Sequence, residues 1–187
     1  MYATDDLRDE HEGIKVALAV LERLSDDAEE DKAVDLDDIE HIIDFLRTFA
    51  DKCHHGKEEE LLFPALEEAG IPNQGGPIGV MLAEHVQGRK FIAGMVDSLQ
   101  GLRADDPDGR GKFIESARGY AELLSAHIFK ENNVLFPMAE AHLSAAQHEK
   151  LSEGFDEIEN ERIGPGVHEA FHALLDQLDE KYLKSRV

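Results

Sequence analysis

Histidines and glutamates recur in the two halves of the chain at spacings that suit metal binding. Each half has one histidine and then, after a long gap, H-x3-E followed by F-P. The first copy consists of His11, His54, Glu58, Phe63 and Pro64. The second copy follows at a nearly constant offset along the chain and consists of His85, His127, Glu131, Phe136 and Pro137. A site for two metal ions between four helices requires such a repeated set.

The H-x3-E spacing indicates how each pair is presented. Residues i and i+4 lie on one face of a helix, one turn apart. His54 and Glu58 would therefore point to the same place in the interior, and His127 and Glu131 would do so from another helix. We predict six metal ligands: His11, His54, Glu58, His85, His127 and Glu131.

The first repeat leaves one ambiguity, because HHGKEEE contains a second H-x3-E pair, His55 and Glu59. The second repeat contains one such pair, nine residues before Phe136. Counting back from Phe63 in the same way selects His54. His55 would lie about 100° further around the helix, so it is either a neighbour of the ligands, a surface residue or a ligand itself.

Imidazole and carboxylate ligands together favour iron, with manganese or zinc as alternatives. Two bridging glutamates and an oxo or hydroxo bridge would leave an open position on each six-coordinate metal. An open position is typical of a reactive or ligand-binding site rather than a closed structural one.

The elements that position these residues are predicted to be helices. Apolar residues at helical spacing and turn signals between them predict helices over about residues 5–24, 36–69, 77–102 and 110–142. Residues 25–35 would form an acidic loop. Pro64 and Pro137 lie inside helical patterns and should kink or end them. We predict an all-α, up-down-up-down four-helix bundle over residues 1–143, with a pseudo-twofold internal repeat.

Residues 144–187 have no counterpart in the repeat. Two more helices are expected there, separated by residues 163–166, and the last would pack on the outside of the bundle. Its apolar face consists of Phe171, Leu174, Leu175 and Leu178.

Composition restricts the partners. A net charge of −22 argues against nucleic acid and anionic membranes. No apolar run is long enough to span a membrane. The acidic start of the chain does not resemble a secretion signal, and one cysteine cannot form an intramolecular disulfide, so we expect a cytoplasmic protein. The composition is compatible with a homodimer or with an unidentified protein partner.

The segments LRDEH, HHGKEEELLFPAL, MLAEH and HIFKENNVLFP resemble the hemerythrin-like, or HHE cation-binding, family over about residues 5–142. The resemblance implies a four-helix bundle with a non-haem di-iron centre bridged by two carboxylates and an oxo or hydroxo group. Oxygen-carrying members have H-x3-H on the third helix, whereas residue 89 here is Arg89. The pattern is closer to members with four histidines and two glutamates, which include iron-centre repair proteins and iron-sensing domains.

Three classes of function remain open, one of which is an iron-responsive interaction module that would lose its fold or its affinity for a partner when metal is removed. The protein would bind O2, NO or iron for sensing, storage or stress protection. Alternatively, it would be a di-iron enzyme, such as a peroxidase, an oxidase or an NO-reducing protein, or an iron-centre repair protein. The absence of another catalytic pattern in the sequence favours the binding protein.

Several other residues allow two interpretations. Glu10 and Glu84 would lie on the surface or behind the ligands, and Lys15 and Arg89 would lie near the metal or in solvent. Phe63 and Phe136 would pack in the core or shield a bound diatomic molecule, and Cys53 would be packed or redox-sensitive. His168 and His172 would form a solvated face or a surface metal site.

Overall fold

The computed structural model describes residues 2–184, and this part of the chain contains six helices and no strand. Met1 and residues 185–187, which the predicted domain boundaries include, lie outside the described residues. Helix α1 is Ala3–Glu29, α2 covers residues 36–68, α3 is Pro77–Arg103 and α4 covers residues 107–142. Helix α5 is Ala145–Arg162, and α6 is Val167–Asp179, continued by a π-helical turn at Glu180–Lys184.

The predicted helices are present, but two of their ends differ by three residues or more. Helix α1 continues through residues 25–29, which we expected to be loop. Ala28 is buried in the core, and Arg118 of α4 pairs with Asp26 and Glu29 at 2.7 and 2.6 Å. Because Arg118 neutralises part of the acidic run, residues 25–29 remain helical. Helix α4 begins at Pro107, where Asp106 accepts a hydrogen bond from the backbone of Asp108 and caps the helix.

Two of the long helices contain π-helical stretches beside the repeated motifs. In α2 these are Leu46–His55 and Glu58–Leu62, followed by an α-helical turn at Phe63–Glu68. In α4 the stretch is Glu131–Leu135, followed by Phe136–His142. Neither helix ends at its proline. The backbone N–H of Phe63 donates to Glu58, five residues back, and Phe136 donates to Glu131 in the same way. The wider turns thus lie directly before Pro64 and Pro137, which lack the N–H of a normal turn.

The hydrophobic core consists of two clusters separated by a polar layer. On α1, Leu7 belongs to one cluster and Ile14 to the other, with His11 between them. The same order is found on α2, where His54 and Glu58 separate Ala50 from Leu62. The polar layer is therefore enclosed by apolar side chains on both sides, which excludes water from it.

Helices α5 and α6 pack against the first four helices. Phe155 of α5 belongs to the same cluster as Leu7, and Phe171, Leu175 and Leu178 of α6 belong to the cluster that contains Ile14. The expected apolar face of the last helix is thus buried, apart from Leu174, which is partly buried. Within the described residues, no helix is long and apolar enough to cross a membrane.

Candidate metal centre

The structure brings all six predicted ligands together in the polar layer. Each of the six side chains is at most 1% exposed: His11, His54, Glu58, His85, His127 and Glu131. Helices α1 and α3 each supply one histidine, and α2 and α4 each supply a histidine and a glutamate.

The histidines face each other in two pairs through their Nε2 atoms. The distance between Nε2 of His11 and Nε2 of His54 is 3.1 Å, and the same distance separates His85 from His127. In each pair, one histidine is the lone histidine of a repeat and the other belongs to the H-x3-E motif of the same repeat. Two lone-pair nitrogens at this distance can hold a cation between them.

The two glutamates lie between the histidine pairs. Oε1 and Oε2 of Glu58 lie 3.6 Å from Nε2 of His54 and 3.4 Å from Nε2 of His85. Oε1 and Oε2 of Glu131 lie 3.1 Å from Nε2 of His127 and 3.2 Å from Nε2 of His11. Each carboxylate thus directs its two oxygens to different histidine pairs.

The carboxylate oxygens of both glutamates are buried and have no hydrogen-bond donor. Burial and the charge of Glu131 raise the pKa of Glu58 well above its usual range. Burial also acts to raise the pKa of Glu131, but His127 and His11 outweigh it and hold that pKa well below the usual range. Two facing carboxylates without donors are costly in a dry interior. The donor set therefore fits divalent or trivalent cations, which would satisfy all four oxygens.

The other nitrogen of each imidazole is also bonded, and the partner is always on a different helix. Nδ1 of His54 lies 2.6 Å from Glu10, and Nδ1 of His127 lies 2.8 Å from Glu84. An ionised carboxylate has no proton to give, so Nδ1–H donates and Nε2 keeps its lone pair for a metal.

His85 and His11 have partners of the same kind. Nδ1 of His85 lies 2.8 Å from Oε1 of Glu59, and Nδ1 of His11 lies 2.9 Å from Oδ1 of Asn132. Each acceptor immediately follows a ligand glutamate in the sequence. With the proton on Nδ1, the neutral form of each of these four imidazoles keeps the Nε2 lone pair for a metal.

These acceptors follow the sequence repeat as well. Glu10 and Glu84 each precede a lone histidine, and Glu59 and Asn132 each follow a ligand glutamate. The lysines that directly precede the ligand glutamates, Lys57 and Lys130, bind Glu10 and Glu84 respectively. The repeat therefore extends beyond the six ligands to the groups that orient them. Our sequence interpretation left open that Glu10 and Glu84 lie behind the ligands, and the structure places both there. It did not find the roles of Glu59, Asn132, Lys57 and Lys130, although the constant offset between the two copies could have identified them.

The electrostatics of these ion pairs favour the charged forms. Burial acts to raise the pKa of Glu10, but His54 and Lys57 lower it to about 2. Burial acts to lower the pKa of His127, but Glu131 and Glu84 raise it to about 9. The carboxylates behind the ligands are thus ionised at neutral pH.

His55 departs from the repeat, because the residue that follows the ligand histidine in the second copy is Ile128. The His55 side chain is 3% exposed, so the surface interpretation is wrong. Its ring stacks on His85 with centroids 3.9 Å apart, and its Nε2 has no hydrogen-bond partner. The wider π-helical turn ending at His55 changes the direction of successive side chains from that of an α-helix.

Two groups of side chains could each hold a metal ion. One consists of His11, His54, Glu58 and Glu131. The other consists of His55, Glu58, His85 and His127. Glu58 is common to both, as a bridging carboxylate would be.

The remaining sequence candidates have defined positions. Phe136 stacks on His11 and Phe63 on His85, with centroids 5.5 and 5.8 Å apart, so both phenylalanines pack against the histidine rings. Lys15 pairs with Glu12 at the surface. Arg89 pairs with Asp51 and Glu59 at 2.7 Å each. Because Glu59 also accepts from Nδ1 of His85, Arg89 is connected to this histidine through Glu59.

Comparison with known proteins agrees with this geometry. The family model described as "Hemerythrin HHE cation binding domain" matches residues 2–139. The chain is 26% identical over 180 residues to the uncharacterized protein Rv1995 of Mycobacterium tuberculosis and to the uncharacterized protein Mb2018 of Mycobacterium bovis, covering 94% of this chain and 67% of each relative. It is 33% identical over 89 residues to the iron-sulfur cluster repair protein YtfE of Escherichia coli, a match that covers 46% of this chain and 40% of that protein.

Proposed function

This chain belongs to the hemerythrin HHE cation-binding domain family, and we propose that it holds two iron ions for the binding of a small ligand such as O2 or NO. The observation that carries the proposal is the pair of donor-free, buried carboxylates, each lying between two histidine pairs. Manganese or zinc would suit the same donors less well. The expected cellular roles are sensing, storage or protection against stress.

We infer that one iron is held by His11 and His54 and the other by His85 and His127, with Glu58 and Glu131 bridging them. The first four helices would alternate in direction, up-down-up-down, to bring the motifs to one level. Residues 1–143 would form the metal-binding domain and residues 144–187 an extension packed on it. When bound, two ferrous ions supply reversible or reductive chemistry with diatomic molecules.

The protein's own residues would exclude water and fix the ligands. Phe63 and Phe136 cover the histidine rings, and the two apolar clusters enclose the centre on both sides. Glu10 and Glu84 keep Nδ1 protonated, so that Nε2 of His54 and His127 remains a metal ligand. A dry site limits the entry of protons, which favours ligand binding over reactions that consume them.

We further infer that His55 supplies a fifth imidazole, from a position that our sequence interpretation did not favour. His55 belongs to the same group as His85 and His127, and its Nε2 has no hydrogen-bond partner. Its counterpart Ile128 cannot ligate, so the two iron sites would differ. The open position would then remain on the iron beside His11 and His54.

Metal content and optical spectra test the proposed function. The protein would be purified without oxygen, its iron counted per chain by mass spectrometry, and its spectrum recorded before and after air is added. We expect two irons and a new band that reverses on degassing. Zinc alone, or less than one iron per chain, would overturn the di-iron proposal.

The variant His55→Ile tests the asymmetry, because it installs the residue found at the corresponding position of the second repeat. We expect it to keep both irons but to alter the visible spectrum of the azide complex, since a second metal position becomes open. The exposed His41→Ile on the same helix is the matched control. Identical spectra for all three proteins would contradict a ligand role for His55.

A second candidate function is the donation of iron to damaged iron centres. It is supported by the similarity to the iron-sulfur cluster repair protein YtfE. This function predicts that the iron-loaded protein restores an iron-depleted cluster protein and loses its own iron in the process. Retention of both irons in that assay would favour the ligand-binding function.

A further inference from the structure

A third pair of histidines lies outside the candidate centre, and its members also face each other through their Nε2 atoms, although both lie on one helix. His168 and His172 are one turn apart on α6, and their Nε2 atoms are 3.1 Å apart. The two Nε2–Nε2 distances within the candidate centre are also 3.1 Å. If one cation bound both atoms at a metal–nitrogen distance of about 2.05 Å, the nitrogen–metal–nitrogen angle would be about 100°. This angle is compatible with tetrahedral or octahedral geometry.

His168 is held in place by two neighbouring helices. Its ring stacks on Phe49 of α2 with centroids 5.6 Å apart and planes within 5° of parallel. Its Nδ1 lies 3.4 Å from Oε1 of Glu159 on α5. This contact is longer than the hydrogen bonds at Nδ1 in the candidate centre, but a nearby carboxylate favours a proton on Nδ1, which leaves Nε2 available to a metal.

The two histidines border a pocket that attracts cations. Its volume is about 330 Å³, and it lies between α1, α2, α5 and α6. Five carboxylates line it: Asp6, Asp9, Glu10, Asp156 and Glu159. The one lysine in the lining, Lys57, is paired with Glu10 and Glu159. The field in the pocket is therefore negative, and it raises the local concentration of cations.

We propose that His168 and His172 bind a third metal ion, a divalent transition metal, at a site separate from the candidate di-iron centre. Two imidazoles at i and i+4 on one helix face form a chelating pair, as in helical zinc sites. Imidazole nitrogen suits zinc, copper and nickel, and hard cations such as magnesium are not expected to bind. Water would complete the coordination, since His172 is exposed.

Nickel binding to the iron-loaded protein tests this site. Wild type and His168→Ala/His172→Ala would be dialysed against Ni²⁺, and nickel and iron would be counted per chain by mass spectrometry. The control is His41→Ala/His142→Ala, which removes two exposed histidines from other helices. Circular dichroism checks that each variant is folded.

We expect wild type and the control to bind one more nickel per chain than His168→Ala/His172→Ala, with equal iron in all three. Each single variant should bind nickel about tenfold or more weakly than wild type, because loss of even a supporting group weakens metal sites by about that factor. Copper bound to wild type should show electron paramagnetic resonance couplings to two nitrogens. Equal nickel uptake by wild type and the double variant, or coupling to fewer than two nitrogens, would overturn the proposal.

Discussion

At the scale of single residues, the four repeated histidines of the candidate centre are each held through Nδ1. Nδ1 of each of His11, His54, His85 and His127 lies within 2.6–2.9 Å of an acceptor on another helix. Nε2 of each points inward. A ligand whose tautomer and orientation are set in advance loses little freedom when metal binds.

Replacement of Glu10 tests the importance of these acceptors. Glu10→Gln keeps the shape of the side chain but removes the charge that holds Nδ1–H of His54. We expect the affinity for iron(II) to fall by about 10- to 100-fold, the usual effect of losing a group behind a ligand. The matched control is Glu12→Gln, whose side chain is 72% exposed and bonded only to Lys15 among the contacts described. Iron titration of the two variants should separate them, and equal affinities would contradict the proposed role of Glu10.

Cys53 illustrates how burial decides between two interpretations of one residue. Its side chain is fully buried, and burial raises the pKa of the thiol to about 12. Because the raised pKa leaves almost no thiolate at pH values well below 12, the packed interpretation is favoured over the redox-sensitive one. We expect iodoacetamide at about pH 8 to label Cys53 only after denaturation. Rapid labelling of the folded protein, measured by mass spectrometry, would contradict this.

The sequence predicts some residues of the site better than others. The six repeated ligands could be selected because each residue has a counterpart at the same spacing in the other copy of the repeat. The structure brings those six side chains together. His55 had no repeat partner, and its direction depends on a π-helical turn that ordinary helical periodicity does not represent. The contacts of Glu10 and Glu84 cross between helices, so helical geometry around the neighbouring histidine could not reveal them.

At the scale of secondary-structure elements, the helices were more predictable than their ends. Apolar periodicity and the turn at residues 70–76 located α2 and α3 to within one residue at each end. The predicted end of α1 was wrong because the last residues of this helix are stabilised by Arg118, which lies far away in the sequence on α4. Contacts over such separations carry no local signal.

The attachment of α6 to the bundle can be tested at this scale. Leu175 is 5% exposed and lies against α1, within reach of Gly13. Leu175→Ala should lower the free energy of unfolding by about 2–4 kcal/mol, because it leaves a cavity between the two helices. Leu183→Ala, at a position that is 36% exposed, should change it by less than about 0.5 kcal/mol. Urea unfolding followed by circular dichroism measures both, and similar values would argue against tight packing of α6.

At the scale of the whole molecule, the net charge of the chain and the burial of the candidate centre both favour the binding of cations. The net charge of −22 surrounds the chain with a negative potential that attracts metal cations and repels polyanions. The candidate centre lies between two apolar clusters, so its carboxylates are protected from water but lack donors. The fold therefore places unsatisfied negative groups where only a bound cation, or a proton, can satisfy them.

The central claim is that two irons share the bridging carboxylates Glu58 and Glu131, and Mössbauer spectroscopy tests it most directly. The protein would be loaded with isotopically enriched iron, oxidised with air and frozen. Bridged ferric ions couple antiferromagnetically, so the account predicts that the iron gives quadrupole doublets without magnetic splitting in a weak field at liquid-helium temperature. Magnetically split spectra of isolated ferric ions would contradict a bridged pair.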